Sequence, residues 1–218
     1  MENLILMIAI AAPPVILAIT LHEAAHGYVA RMFGDPTAHE AGRITLNPIK
    51  HVDPVGTLLI PGGIVVMGAL TGAALPVFGW AKPVPVNFGR LRHPKRDMLW
   101  VAAAGPGSNF VQAIAWAIAG GIFAGSQADT APYWALMSQV GVQANLVLML
   151  LNLLPVPPLD GGRIAVSLLP MRQAIALSRM EPYGFFILIA LLFTGVLEKI
   201  MTFLIPPLRS FLHMLTGA

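Results

Sequence analysis

Three side chains near the start of the chain have the types and spacing to do chemistry: His22, Glu23 and His26, in His22-Glu23-Ala24-Ala25-His26. Four residues along a helix turn through about 400°, so the two imidazoles share one face a turn apart. That spacing suits a zinc ion, and the carboxylate between them suits a general base that takes a proton from activated water. The plainer reading, two chance core histidines, is the weaker one. Three ionisable groups inside the apolar run of residues 4–32 are costly unless they pair with or bind something.

The elements that must position these groups are membrane elements. Of 218 residues, 56% are hydrophobic and 11% charged, and the mean hydropathy is +0.75. These values exclude an ordinary soluble domain. The net charge of +3 comes from basic residues set between apolar runs, which is a juxtamembrane pattern and not a nucleic-acid surface. Cysteine is absent, so neither a disulfide framework nor a thiolate metal site is available. The eleven methionines show no paired spacing and are read as apolar filler. The N-terminus lacks a basic n-region, and its apolar run exceeds that of a signal peptide, so retention as a spanning helix is expected.

Residues 4–32 form the first expected span, about 43 Å long at helical rise, with a kink or break expected at Pro13-Pro14. A strand is expected at residues 43–46. Residues 54–80 are apolar but studded with glycine and proline, and residues 82–96 carry Lys82, Arg90, Arg92, Lys95 and Arg96. Further spans are expected at 97–125, 133–154 and 183–205. A short helix is expected at 164–169, and an interfacial tail at 206–218. No internal repeat is visible. The expected fold is an all-α polytopic membrane protein with four full transmembrane helices, a re-entrant or broken segment and a short membrane-associated β region. Five or six spans are the alternative.

Zinc in a hydrolytic site takes three protein ligands. Asp160 is a candidate third. It comes after Pro155, Pro157 and Pro158 and precedes Gly161-Gly162, in backbone that cannot stay helical. Unwound backbone at membrane depth lines a cavity or is buried in protein. By spacing alone, ligand and helix cap are equally good readings of this residue.

Three stretches together resemble the signatures of the site-2 protease family, the intramembrane zinc metalloproteases. They are His22 to His26, Ala104-Gly105-Pro106 with Asn109, and Asn152 to Arg163 with Leu159-Asp160-Gly161-Gly162. The similarity spans roughly residues 4–165 with the motifs in family order. It implies one zinc ion held by His22, His26 and Asp160, with Glu23 as catalytic base. It also implies a role near substrate or oxyanion for Asn152. Asn109 either meets substrate or joins two helices, and Gly105 and Gly107 are read as permitting close helix packing. The chain resembles compact members without PDZ or CBS domains, so a single integral-membrane domain over residues 1–218 is expected, with its core at 4–165 and a C-terminal span and tail at 183–218.

His22 lies nine residues before Arg31, about 13 Å along a helix, and Asp160 just before Arg163. Both basic ends, with the 82–96 loop, are expected on the cytoplasmic side. That order requires residues 54–80 to re-enter and not cross. The expected partners are the lipid bilayer and a transmembrane protein substrate, and the expected setting is a prokaryotic cell membrane. The competing classes are a divalent-cation transporter and an inactive zinc-binding scaffold. The first should show ligating residues along several spans, and the second has no use for Glu23.

Overall fold

A computed structural model describes residues 2–72 and 79–216. Its helices are α1 (Glu2–Met32), α2 (Thr37–Glu40), α3 (Ile60–Thr71), α4 (Pro94–Ala124), α5 (Ala131–Asn152), α6 (Asp160–Leu168), α7 (Met171–Ser178), α8 (Gly184–Phe193) and α9 (Val196–Thr216). Four stretches are long and apolar enough to cross a membrane: Ile5–Met32, Pro94–Ala124, Ala131–Asn152 and Met171–Phe193. The chain is a multi-pass membrane protein.

Helix α4 is the hub, packing against α1, α5, α6 and α9. Its approach to α5 depends on Gly141, where a Cβ would fall 2.4 Å from the Trp116 ring. Ala113 of α4, Leu146, Met149 and Leu150 of α5, and Ile205 and Leu212 of α9 form one buried cluster. Between helices in lipid there is little hydrophobic drive, and such small-residue contacts let dispersion and close approach take over. A second cluster, Ala30, Leu91 and Val101, closes the end of the bundle where α1 finishes. Asp35 fastens that end. Its side chain is buried and accepts hydrogen bonds from the Thr37 hydroxyl and amide and, at 2.6 Å, from the Asn87 amide. Burial works against its ionisation, but the Thr37 hydroxyl and the Asn87 and Thr37 amides outweigh burial and hold its carboxyl below the ordinary carboxylate range.

Two expectations from the sequence need correction. The strand at 43–46, and with it the membrane-associated β region, does not form: these residues are turn and bend, and no strand occurs among the described residues. No partner strand lies beside them, and Arg43 instead turns inward to donate from Nη2 to the Lys82 carbonyl at 2.7 Å. Helix α1 runs unbroken through Pro13 and Pro14. The span expected at 183–205 is interrupted at Thr194-Gly195, where Gly195 takes φ +71°, a left-handed turn that hydropathy alone does not reveal. The tail expected at 206–218 is, through Thr216, the second half of α9. It is packed on the bundle through Leu212 and through Arg209 Nη2 donating to Gln143 Oε1 at 2.7 Å.

Residues 54–80 begin as a wide, π-type turn at Pro54–Leu59 and continue as α3. Residues 73–78, inside this stretch, lie outside the described residues. The segment returns to its own start: Trp80 N donates to Gly56 O at 3.1 Å, Thr57 Oγ1 to Trp80 O at 2.8 Å, and Lys82 N to His51 O at 2.9 Å. Asp53 caps the entry by accepting from the Val55 and Gly56 amides.

Candidate metal centre

His22, Glu23 and His26 stand on α1 as their spacing predicts. Asp160 is the first residue of α6 and comes from the far side of α4 in sequence. Its Oδ2 lies 3.2 Å from Nε2 of His22 and 3.2 Å from Nε2 of His26, and the two Nε2 atoms are 3.0 Å apart. All three residues are buried. Among the described residues they form the one His/Cys/Asp/Glu group close enough to hold a metal ion.

The opposite ring nitrogens decide what this convergence means. His26 Nδ1 meets the Val101 carbonyl at 2.7 Å, and a carbonyl can only accept, so Nδ1 carries the proton. His22 Nδ1 meets Asn109 Oδ1 at 2.6 Å. The Asn109 amide nitrogen donates elsewhere, to Ala18 O at 3.1 Å and Asn145 Oδ1 at 2.9 Å, so Oδ1 accepts and His22 Nδ1 also carries the proton. In the neutral, metal-binding form both rings then point an Nε2 lone pair at the same place, facing a carboxylate oxygen that has no hydrogen-bond donor of its own. Three buried acceptors facing one another repel unless a cation sits between them. Ligands about 2.0–2.1 Å from a tetrahedral zinc stand about 3.3 Å apart, close to the 3.0–3.2 Å found here. The residues fit zinc.

Helix α4 supplies the back wall. Val101, Gly105 and Asn109 are four residues apart and so share one stripe. The outer two anchor the imidazoles, and the middle one makes room for them. A Cβ on Gly105 would fall 2.4 Å from His26 Nε2 and 2.6 Å from His22 Nε2. Gly107, read from sequence as a second packing glycine, has no atom within 4 Å of such a Cβ, so close packing is Gly105's alone.

Asp160 is positioned by the two glycines after it. A Cβ on Gly161 would fall 2.3 Å from the Leu153 carbonyl oxygen, and one on Gly162 would fall 2.4 Å from Pro157 N. The loop after α5 thus folds tightly across the start of α6 only because neither residue has a side chain. The N-cap of α6 is Leu159 and Asp160 is the first helical residue, so Asp160 does not occupy the cap position.

Glu23 is half-buried, and its Oε2 accepts from the Val84 amide at 2.7 Å. Asn109 is fully buried and spends its amide on His22, Ala18 and Asn145, behind the histidines. Asn152, at the end of α5, donates from Nδ2 to Leu148 O at 3.0 Å. Sequence reasoning missed Asn145 and Val84. Asn145 had a weak signal, an amide in an apolar span that also carries Gln139, Gln143 and Asn152. Val84 had none, because its contribution is a backbone N–H reaching 61 residues back.

Fold and site together define a polytopic helical membrane protein with a buried centre of two histidines and one distant carboxylate. Comparison with known proteins agrees. The model of peptidase family M50 matches residues 120–195. The chain is 42% identical over 183 residues to YwhC of Bacillus subtilis (strain 168), provisionally named a zinc metalloprotease, covering 82% of this chain and 78% of that protein. It is 31% identical over 185 residues to Rip2 of Mycolicibacterium smegmatis, provisionally named likewise, covering 84% of this chain and 66% of that protein. No solved structure matches the chain. The chain belongs to peptidase family M50, the site-2 proteases, and with it to the zinc metalloproteases.

Proposed function

We propose that the protein hydrolyses a peptide bond within or near the transmembrane segment of a membrane-protein substrate, with His22, His26 and Asp160 as zinc ligands and Glu23 as general base. The observation that carries this reading is the meeting of three buried acceptor atoms, one of them without a donor. When bound, zinc supplies Lewis-acid chemistry, making water acidic near neutral pH and polarising a carbonyl oxygen. The chain's residues do the rest. Asn109 and the Val101 carbonyl fix the histidine tautomers. The Val84 amide holds one Glu23 oxygen, leaving the other to take the water proton and deliver it to the leaving amine. Asn152, half-buried at the end of α5, is assigned to the substrate backbone on the family resemblance of its motif.

A cation-transport reading would need further ligating groups along a path, and the described residues offer one such cluster. The whole of residues 1–218 acts as one integral domain in the cell membrane. Residues 54–80 enter and leave on the same side, in keeping with the hydrogen bonds that join their two ends. Arg31, Arg163 and the basic 82–96 loop then face the cytoplasm, with the site nearer that face. The test is Glu23→Gln in purified protein given single-span substrates. Zinc should stay bound and cleavage should stop, whereas unchanged cleavage rejects Glu23 as the base.

A further inference from the structure

Along the loop and helix start that carry Asp160 lies a cleft of about 640 Å³, within the size range of sites that hold small ligands or a few residues, about 300–1,000 Å³. Its lining includes chain neighbours of both Asp160 and the amide that holds Glu23. Pro157 and Gly162 bracket Asp160, and Val86 lies two residues beyond the amide that holds Glu23. Farther out the lining turns cationic, with Lys95, Arg163 and Arg179 against the single acid Glu181. Lys95 Nζ donates to the Leu169 carbonyl, which leaves its charge uncompensated. Neither arginine has an ion-pair partner among the described residues. Lys95 lies six residues before Val101 on α4, so the cationic end stands about 9 Å beyond the level of His26.

We infer that this cleft is a substrate subsite for an acidic flank. The inference rests on the protease reading above and names the class of substrate. A substrate leaving the metal centre in extended form advances about 3.3 Å per residue, so a carboxylate about three to five residues from the scissile bond reaches the cationic end. Ordinary membrane proteins carry lysine and arginine on their cytoplasmic flanks. The same cations repel those, so the cleft selects by exclusion as well as by attraction. A lipid headgroup would also find charge complementarity here. A peptide is favoured because a ligand in this cleft touches Pro157 and Gly162 on either side of Asp160 and Val86 near the amide that holds Glu23.

The experiment uses the full chain in nanodiscs of zwitterionic lipid. Three reporter substrates share one transmembrane segment and carry acidic, neutral or basic residues at those flank positions. Zinc content is measured for every protein. Wild type should prefer the acidic over the basic flank by about tenfold in kcat/KM, mostly through KM, and less so at high salt. Arg163→Gln with Arg179→Gln should bring the three reporters within about twofold, and Arg179→Gln alone should fall between. In the Glu23→Gln protein, peptide binding should show the same order without turnover. Indifference of wild type to flank charge would overturn the inference, as would a preference that survives in the double variant. Stimulation of all three reporters alike by acidic lipid, with no flank preference, would assign the cleft to headgroups instead. Chelator-sensitive cleavage of the neutral reporter tests the protease reading separately.

Discussion

Replacing Gly105 by alanine should cost the protein its zinc while sparing its fold. The added carbon would stand 2.4 Å from His26 Nε2 and 2.6 Å from His22 Nε2 and Cε1. An ordinary contact needs about 3.5 Å, so about 1 Å must be recovered. The imidazoles cannot supply it by turning, because each is tied through Nδ1 to α4 itself, one turn above and one turn below the new methyl. Either α4 draws back, taking those anchors with it, or a ring leaves its place. Metal sites tolerate about 0.2 Å in ligand distance. Loss of one outer hydrogen bond to a ligand already costs about 10–100-fold in affinity. A displacement of about 1 Å should therefore cost at least about 100-fold, or roughly 2.7 kcal/mol. Zinc titration against a competing chelator measures this, with circular dichroism reporting helix content. Gly107→Ala is the matched control and should bind zinc like wild type, since its Cβ meets nothing. Zinc affinity in Gly105→Ala within about threefold of wild type would refute the reasoning, because losing a single hydrogen bond behind a ligand already costs about tenfold.

Three further outcomes are expected. Asn109→Ala should weaken zinc binding about 10–100-fold by freeing the His22 tautomer, measured by the same titration, and Asn145→Ala should do so to a smaller degree by loosening Asn109. Gly161→Ala should prevent the loop after α5 from closing on α6. Its Cβ would press on the Leu153 carbonyl, and zinc content after dialysis should fall below that of wild type. Asp35 should give a pH-dependent stability. Its folded pKa is lowered, so its contribution is full above the unfolded value near about 3.9 and is lost as pH falls through the folded value. The thermal-stability gap between wild type and Asp35→Asn, with chelator in both samples, should therefore be largest near neutrality and shrink toward about pH 3.

How much of this was legible in the sequence depended on the range of the contact. His22, Glu23 and His26 could be read because helical periodicity puts them on one face, and the apolar run around them makes them expensive. The apolar spans were visible from the same hydropathy, and the return of residues 54–80 was inferred from where the basic residues fall. Asp160 was only half legible, since an acid before two glycines also suits a cap, and resemblance to a family separated the two readings. Gly105, Asn145 and Val84 act through contacts made after the helices pack. Gly105 looked no different from Gly107, although one abuts the imidazoles and the other faces open space. The strand at 43–46 failed because β-branched residues make a strand only when a partner edge is present, and here Arg43 is drawn inward. The bounds of the last span shifted to Met171–Phe193 because hydropathy averages over Gly195, a single left-handed residue just after α8.

The central claim is that one zinc ion sits between two imidazoles from α1 and one carboxylate from the start of α6. Zinc-edge X-ray absorption on the purified protein tests it most directly. The account predicts one zinc per chain, a shell of nitrogen and oxygen scatterers at about 2.0–2.1 Å, imidazole scattering that fits two histidines, and loss of the bound zinc in Asp160→Ala. Zinc bound undiminished in Asp160→Ala, with the same shell and two histidines, would contradict it.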